Sequence, residues 1–349
     1  MKKVFISLIA FVFCFNLQAQ DTVKVKTNLT PEQQAETAYN MALEMMGKKQ
    51  YSAAIDNFTQ ALSLNPGFVL ALVNRGFAEY ESKKNTDAIH DFNQANVLKP
   101  SADGYFGEAE CFYAINKRDS ATQYLTKAVA LDNKYAKAFY LRAQIKFEAK
   151  EYKEAIEDYN QAIAAKPDYA YAYNDRGSAK KQNGDAAGAI ADYEKAVQND
   201  SKLFFAYNNL GSAKRDKGDN TGAIEAYNKA IVLKADYYLA LNNRGSAKLN
   251  KNEIAGAIND FEAALEIKKD YVLAMNNMAS AYLKKKDFKN AVDWCTKALF
   301  IDENAAACYI NRGIAKQMLK DEDGACADWK QAAKLGMDLG KSYSGGLCD

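Results

Sequence analysis

The chain has 349 residues, 48% of them hydrophobic, with 46 Lys and Arg against 44 Asp and Glu. A formal charge of +2 argues against the basic surface of a nucleic-acid binder or a polybasic membrane anchor. The single histidine, His90, excludes a His-rich metal site and any proton relay through two imidazoles.

Lys2 and Lys3 precede an apolar run from Val4 to Leu17 that ends in Leu17-Gln18-Ala19, the layout of a secretory signal with a small residue at the cut. Cleavage is expected after Ala19; loss of the two lysines leaves 44 basic against 44 acidic residues. The run falls short of the roughly 20 residues that span a bilayer, and no comparable run follows. The expected product is exported, periplasmic or secreted, with no membrane insertion after cleavage, in a compartment where disulfides persist. Cys14 lies inside the run behind bulky Phe13, which disfavours lipidation. Residues 20–34 read as a leader, within which Thr22 to Thr27 alternate weakly.

Thr30-Pro31-Glu32-Gln33 reads as a helix start, with Thr30 as N-cap, Pro31 in the first turn and Gln33 closing a capping box. From there a ruler applies. Gly177-Ser178-Ala179-Lys180 returns unchanged at Gly211 and at Gly245, an interval of one supersecondary unit. Setting the first unit at Ala35 aligns small residues at position 8 (Ala42, Gly76, Ala109, Ala143, Gly177, Gly211, Gly245, Ala279, Gly313). Alanine fills position 20 from Ala54 to Ala325 and position 27 from Ala61 to Ala332 in all units. Position 24 is mostly large: Phe58, Phe92, Leu125, Tyr159, Tyr193, Tyr227, Phe261 and Trp329, with Cys295 in unit 8. Positions 20, 24 and 27 share one helix face, and Gly184-Asp185 and Gly218-Asp219 mark the turn between two helices. Pro66, Pro100 and Pro167 fall at the end of the second helix.

These columns closely resemble the tetratricopeptide repeat family, over about Ala35 to Gly336. The resemblance implies an all-α fold, a right-handed α-solenoid superhelix of nine helix-turn-helix units at 35–336, with 337–349 as a C-terminal cap. The chain departs from the family pattern at position 11, which is Lys180, Lys214, Lys248 and Lys316, and at position 7, which is Arg75, Arg142, Arg176, Arg244 and Arg312. Both read as subfamily character. Unit 3 arrives one residue early, has Asn133 where the closing proline belongs and carries Gly104 in its first helix, so the array is expected to open most easily around residues 102 to 135.

The tail after Gly336 is expected to fold back over the last helix, although Gly340, Gly345 and Gly346 make it a poor helix. If the chain reverses at Gly336, Cys326 lies ten residues before the turn and Cys348 twelve after. At ~1.5 Å per residue the two are nearly level, which points to a Cys326–Cys348 disulfide. The other reading makes all the mature cysteines small buried apolar residues, as the place of Cys295 in the position-24 column suggests.

Nothing in the sequence asks for catalysis, a cofactor or a metal. There is no C-x-x-C and no Gly-rich phosphate loop, and Asp321-Glu322-Asp323 sits at a turn. First helices line the concave face in the family, and the inward positions carry a pattern. Position 5 holds Asn174, Asn208, Asn242 and Asn276; position 6 holds Asn209, Asn243 and Asn277, with Asn40, Asn74 and Asn311. An Asn side chain offers one donor group and one acceptor, the match for an extended main chain; the same residues could instead bond neighbouring helices. Ser178, Ser212, Ser246 and Ser280 follow at position 9, and Tyr171, Phe205, Leu239 and Leu273 at position 2 offer apolar contacts. Lys181 and Arg215 at position 12 could draw an acidic segment or form a solvated rim. Phe77, Tyr80, Tyr113, Tyr140 and Phe147 lie near the same face in the first half and could anchor a partner or pack between units. The lysine/asparagine/arginine carboxylate clamp of some family members does not carry over, because Tyr39 and Leu43 occupy two of its places.

The expected function is that of a non-enzymatic scaffold binding an extended peptide or protein segment in its groove. The alternative is a structural or assembly component of the cell envelope that docks through its outer face or termini.

Overall fold

A computed structural model describes residues 29–348. The expected signal sequence, Cys14 and the leader up to residue 28 lie outside the described residues. Nineteen helices, with no strand among the described residues, follow one another in pairs. Units 1 to 3 are α1 (Pro31–Gly47) with α2 (Tyr51–Leu64), α3 (Val69–Glu81) with α4 (Asn85–Leu98), and α5 (Ala102–Ala114) with α6 (Arg118–Leu131). Units 4 to 6 are α7 (Ala136–Glu148) with α8 (Tyr152–Ala165), α9 (Ala170–Gln182) with α10 (Ala186–Asn199), and α11 (Phe204–Asp216) with α12 (Asn220–Leu233). Units 7 to 9 are α13 (Tyr238–Asn250) with α14 (Ile254–Ile267), α15 (Val272–Lys284) with α16 (Phe288–Ile301), and α17 (Ala306–Met318) with α18 (Glu322–Lys334). A final helix, α19 (Asp338–Leu347), closes the array.

Local chemistry explains the punctuation. The α1 capping box forms, with Thr30 Oγ1 accepting from the Gln33 amide and Gln33 Oε1 from the Thr30 amide. Between the helices of every unit the residue at position 15 is left-handed: Lys49, Lys83, Asn116, Lys150, Gly184, Gly218, Asn252, Lys286 and Lys320. Only two are glycine, so the turn is set by the packed helices and not by its own sequence. The missing residue of unit 3 comes out of the loop before α5. There Ser101 caps the helix by accepting from the Gly104 amide, and a Cβ on Gly104 would meet Asn96 Oδ1 at 2.4 Å. Gly104 is therefore a close-packing residue and not a break.

The core is the column set. Alanines at positions 20 and 27 are fully buried in every unit, as are the position-24 side chains Phe58, Phe92, Tyr159, Tyr193, Tyr227, Phe261 and Trp329. The position-8 glycines Gly76, Gly177, Gly211, Gly245 and Gly313 lie directly against those rings.

A second repeated element runs through the polar residues. In five units the position-7 arginine forms a two-pronged ion pair with an aspartate sixteen residues on: Arg75–Asp91, Arg142–Asp158, Arg176–Asp192, Arg244–Asp260 and Arg312–Asp328. Its remaining Nη1 reaches back to the preceding unit, to Thr59, Thr126, Asn160, Asn228 or Thr296. The position-11 lysines Lys146, Lys180, Lys248 and Lys316 complete the buried aspartate's shell at 2.7–2.9 Å. The four units without the arginine also lack the aspartate: Met41 with Asn57, Glu108 with Tyr124, Leu210 with Ala226, Met278 with Trp294. The departures at positions 7 and 11 thus build one ion cluster that ties the two helices together and, through Nη1, one unit to the next.

Unit 2 carries Glu79 where its counterparts carry that lysine. Burial and then the nearby Asp91 push the Glu79 carboxyl up to about 7. A raised acid binds its proton more tightly when folded. Its stabilising contribution is complete below the unfolded value of 4.5 and is lost as pH rises towards about 7. Glu79→Lys is expected to raise stability at pH 8 by about 2 kcal/mol while changing little at pH 5, read as denaturant midpoints at the two pH values. Equal shifts at both would overturn the assignment.

The tail forms a helix, contrary to its glycine content. Tyr343 stacks on Trp329 with centroids 4.9 Å apart, and a Cβ on Gly340 would lie 2.5 Å from the Ala333 amide nitrogen, so Gly340 is what lets α19 settle on α18. Packing overrides helix propensity here. Gly336, with φ +88°, makes the reversal, and Cys326 and Cys348 are joined in a disulfide with Cα atoms 5.5 Å apart. Cys111, Cys295 and Cys308 are free and buried. Alkylation of the denatured, unreduced protein is expected to modify those three and to spare Cys326 and Cys348, read by peptide mass mapping.

Candidate functional site

The first helices of successive units lie side by side, and a ladder of side-chain hydrogen bonds joins them. Each rung links position 5 of one unit to position 6 of the next. The Nδ2 groups of Asn209, Asn243, Asn277 and Asn311 donate to Oδ1 of Asn174, Asn208, Asn242 and Asn276 at 2.9–3.0 Å. Two further rungs use tyrosine: Asn74 Nδ2 donates to Tyr39 Oη at 3.0 Å, and Tyr140 Oη donates to Asp175 Oδ2 at 2.6 Å. Unit 3 is skipped on both sides, because the equivalent pairs are Val73 with Gly107 and Phe106 with Leu141.

This placement corrects part of the sequence expectation. Asn174 and Asn242 are only 4% and 1% exposed and Asn208 is buried too, so these three sit beneath the surface; Asn276 is half-buried, and the side-chain carbonyls of all four are already used between units. At position 6 the amide of Asn209 and of Asn243 donates once, into its rung, while those of Asn277 and Asn311 donate a second time, to Ser246 Oγ and Ser280 Oγ. What Asn209, Asn243 and Asn277 all leave towards solvent is the side-chain oxygen, which accepts from no donor among the described residues. The serines are also tied inward. Ser178, Ser246 and Ser280 donate to the carbonyls of Asn174, Asn242 and Asn276, and Ser178 and Ser212 meet Tyr193 Oη and Tyr227 Oη at 3.1 Å.

Lys181 and Arg215 do not form a free basic pair. Lys181 Nζ lies 2.6 Å from Asp216 and Arg215 contacts the same carboxylate at 3.5 Å. The apolar row at position 2 is presented outward: Tyr171 is 48% and Leu273 50% exposed, with Phe205 half-buried and its ring centroid 5.7 Å from that of Tyr171. Of the first-half aromatics, Phe77 packs on Phe92, and Tyr113 donates to Glu148 beneath the Arg118 guanidinium.

One rung differs in charge. Asp175 stands where six other units have asparagine. It accepts from Tyr140 Oη and from Asn174 Nδ2 at 2.9 Å; burial pushes its carboxyl up and those donors pull it back. The sequence signal was a single acidic residue in an Asn column. Among the described residues no cluster of His, Cys, Asp and Glu is arranged to hold a metal, and no helix is long and apolar enough to cross a membrane.

Models of the tetratricopeptide repeat match residues 39–103, 170–203 and 242–306, and a TPR repeat model matches 143–184 and 211–252. The chain belongs to the tetratricopeptide repeat family. Among curated proteins this tetratricopeptide chain is similar to DnaJ homolog subfamily C member 7 of Homo sapiens, 28% identical over 123 residues that make up 30% of this chain and 25% of that protein. The Dictyostelium discoideum homolog is 25% identical over 141 residues, 36% of this chain and 26% of its own. The match therefore spans about a quarter of these relatives' length. Similar solved structures include a tetratricopeptide repeat protein from Parabacteroides merdae, with TM-score 0.58 and 15% identity over 71% of this chain and 99% of that one. The Cut9–Hcn1 hetero-tetramer gives TM-score 0.57 and 15% identity over 90% and 76%. Both likenesses concern the fold. Tetratricopeptide repeats bind proteins or peptides and are generally non-catalytic scaffolds.

Proposed function

We propose that this protein is an exported, non-enzymatic scaffold that holds an extended protein segment along the first-helix face of units 5 to 8. The observation that carries this reading is the apolar row Tyr171, Phe205, Leu239, Leu273, exposed at its two ends and half-buried at Phe205 and Leu239, running beside the unused side-chain oxygens of Asn209, Asn243 and Asn277. Large apolar side chains left outward along one line offer burial to a partner, and a row of acceptors suits the N–H groups of an extended chain. The ladder beneath fixes the spacing of both, so the surface is organised before a partner arrives.

A second reading, docking through the outer face, is favoured by Val97, Val232 and Phe300 near the ends of α4, α12 and α16; Phe300 is 91% exposed. The two are separated by retention of a natural partner, captured from the native envelope, on Tyr171→Ser/Leu273→Ser and on Val232→Ser/Phe300→Ser variants. The groove reading expects loss only in the first. Loss confined to the second would replace it with outer-face docking.

A further inference from the structure

A cavity of about 340 Å³ opens at the junction of units 4 and 5, lined by Gln144, Phe147 and Glu148 of α7, Tyr159 of α8, and Asp175 and Ser178 of α9. Two of these six residues are carboxylates and none is a cation. Glu148 already has compensation outside the cavity, because its oxygens accept from Tyr113 Oη and from Arg118 Nε at 2.8 Å. Asp175 does not: its two donors are a neutral hydroxyl and a neutral amide, and no Lys or Arg pairs with it among the described residues. Lys181, one turn beyond the cavity on α9, is committed to Asp216. Each carboxylate oxygen can accept twice, so both carboxylates retain acceptor capacity. Phe147 supplies an aromatic wall, half-buried and edge-on to Tyr152 at 5.5 Å.

From this geometry we infer that the cavity receives a basic side chain, arginine or lysine, of the bound segment, with Asp175 as its principal counter-charge and Phe147 against its stem. The inference rests on the groove reading above and names the partner's chemistry at one position. A partly buried carboxylate with hydrogen bonds but no cation gains more from an arriving cation than an exposed one does, because water screens the contact less. An aromatic face adds a cation–π contribution. The position along the groove also fits. Tyr171 precedes Asp175 by one helical turn on the same face of α9, so the basic residue lies next to the apolar row. The expected recognition element is a basic residue flanked on one side by large apolar ones, which distinguishes this junction from the neutral asparagine rungs of units 6 to 9.

The test is selection of a random dodecapeptide display library on the full chain, followed by synthesis of the enriched peptides. The expected result is a single shared Arg or Lys beside apolar residues. A selected peptide should bind Asp175→Asn about tenfold more weakly than the wild type, and a peptide carrying citrulline in place of that residue should show the same loss with no further loss on the variant. Asp175→Asn restores the residue present in six other units, and an unchanged thermal melt verifies that the fold is intact. Arginine and lysine versions of the peptide tell the two side chains apart. Enriched peptides that need Tyr171 and Leu273 but carry no basic residue would overturn this inference and leave the groove reading standing. Binding to Asp175→Asn that equals the wild type would do the same. Failure to enrich any peptide would overturn both.

Discussion

Asp192→Ala is expected to destabilise unit 5 by about 3 kcal/mol or more, because it strands Arg176 and Lys180 without their common partner in a mostly buried site. The Asp192 carboxylate receives Arg176 on both oxygens and Lys180 at 2.9 Å, and it is itself 4% exposed. The array supplies its own control. Unit 6 carries Leu210 and Ala226 at the equivalent positions, both buried, and its position-11 lysine, Lys214, turns to Glu194 instead. Arg176→Leu combined with Asp192→Ala therefore converts unit 5 to a packing already used next door. The double variant should be more stable than the sum of the single changes requires, with a coupling of about 2 kcal/mol. Hydrogen exchange in α9 and α10, with denaturant midpoints for the whole chain, measures it. Additive losses would mean that the arginine and aspartate act independently despite their geometry.

Gly211→Leu is the second large effect, expected to cost about 3 kcal/mol. A Cβ at Gly211 would already stand 2.7 Å from the Tyr227 ring, closer than atoms tolerate, and three more carbons have nowhere to go between α11 and α12. Gly211→Ala should cost less, since Ala42 and Ala143 are accommodated opposite Phe58 and Tyr159. Shortening the opposing ring tests the cause: Tyr227→Leu in the Gly211→Ala background reproduces the Ala109 and Leu125 pairing of unit 3 and should recover stability. A Gly211→Leu protein with the wild-type midpoint would show that the helices can separate freely.

The architecture could be read from the sequence because its determinants are confined to single positions. Small residues at 8, 20 and 27 and bulk at 24 repeat in phase, and a periodic column needs no three-dimensional information to be seen. The polar network was harder because its partners occupy different columns. Arg176 and Asp192 both recur, yet their connection lies in a spacing of sixteen residues, so position 7 alone looked like a local preference. The asparagines were visible as two adjacent columns, and each column read alone left open whether a ligand or a neighbouring helix was its partner. The hydrogen bond joins position 5 to position 6 of the next unit, which places Asn242 in the interior. Asp175 carried the least signal, one charged residue among amides, and its meaning depends on Phe147 and Glu148 from another unit. In the tail, glycine content argued against a helix, and the contact that requires Gly340 was not local.

The asparagine ladder has a consequence for how such a chain can change length. Its four amide rungs between units 5 and 9 are interchangeable, since every junction there offers an asparagine at position 5 to an asparagine at position 6. In-frame deletion of residues 204–237 would bring Asn243 opposite Asn174 and recreate a rung of the same kind; duplication of that segment would add one. The ion clusters lie mainly inside single units and would travel with them. Recombination between the near-identical Gly-Ser-Ala-Lys segments can therefore lengthen or shorten the second half of the array without leaving an unmatched joint, whereas the same event beside unit 3 would place unlike neighbours together.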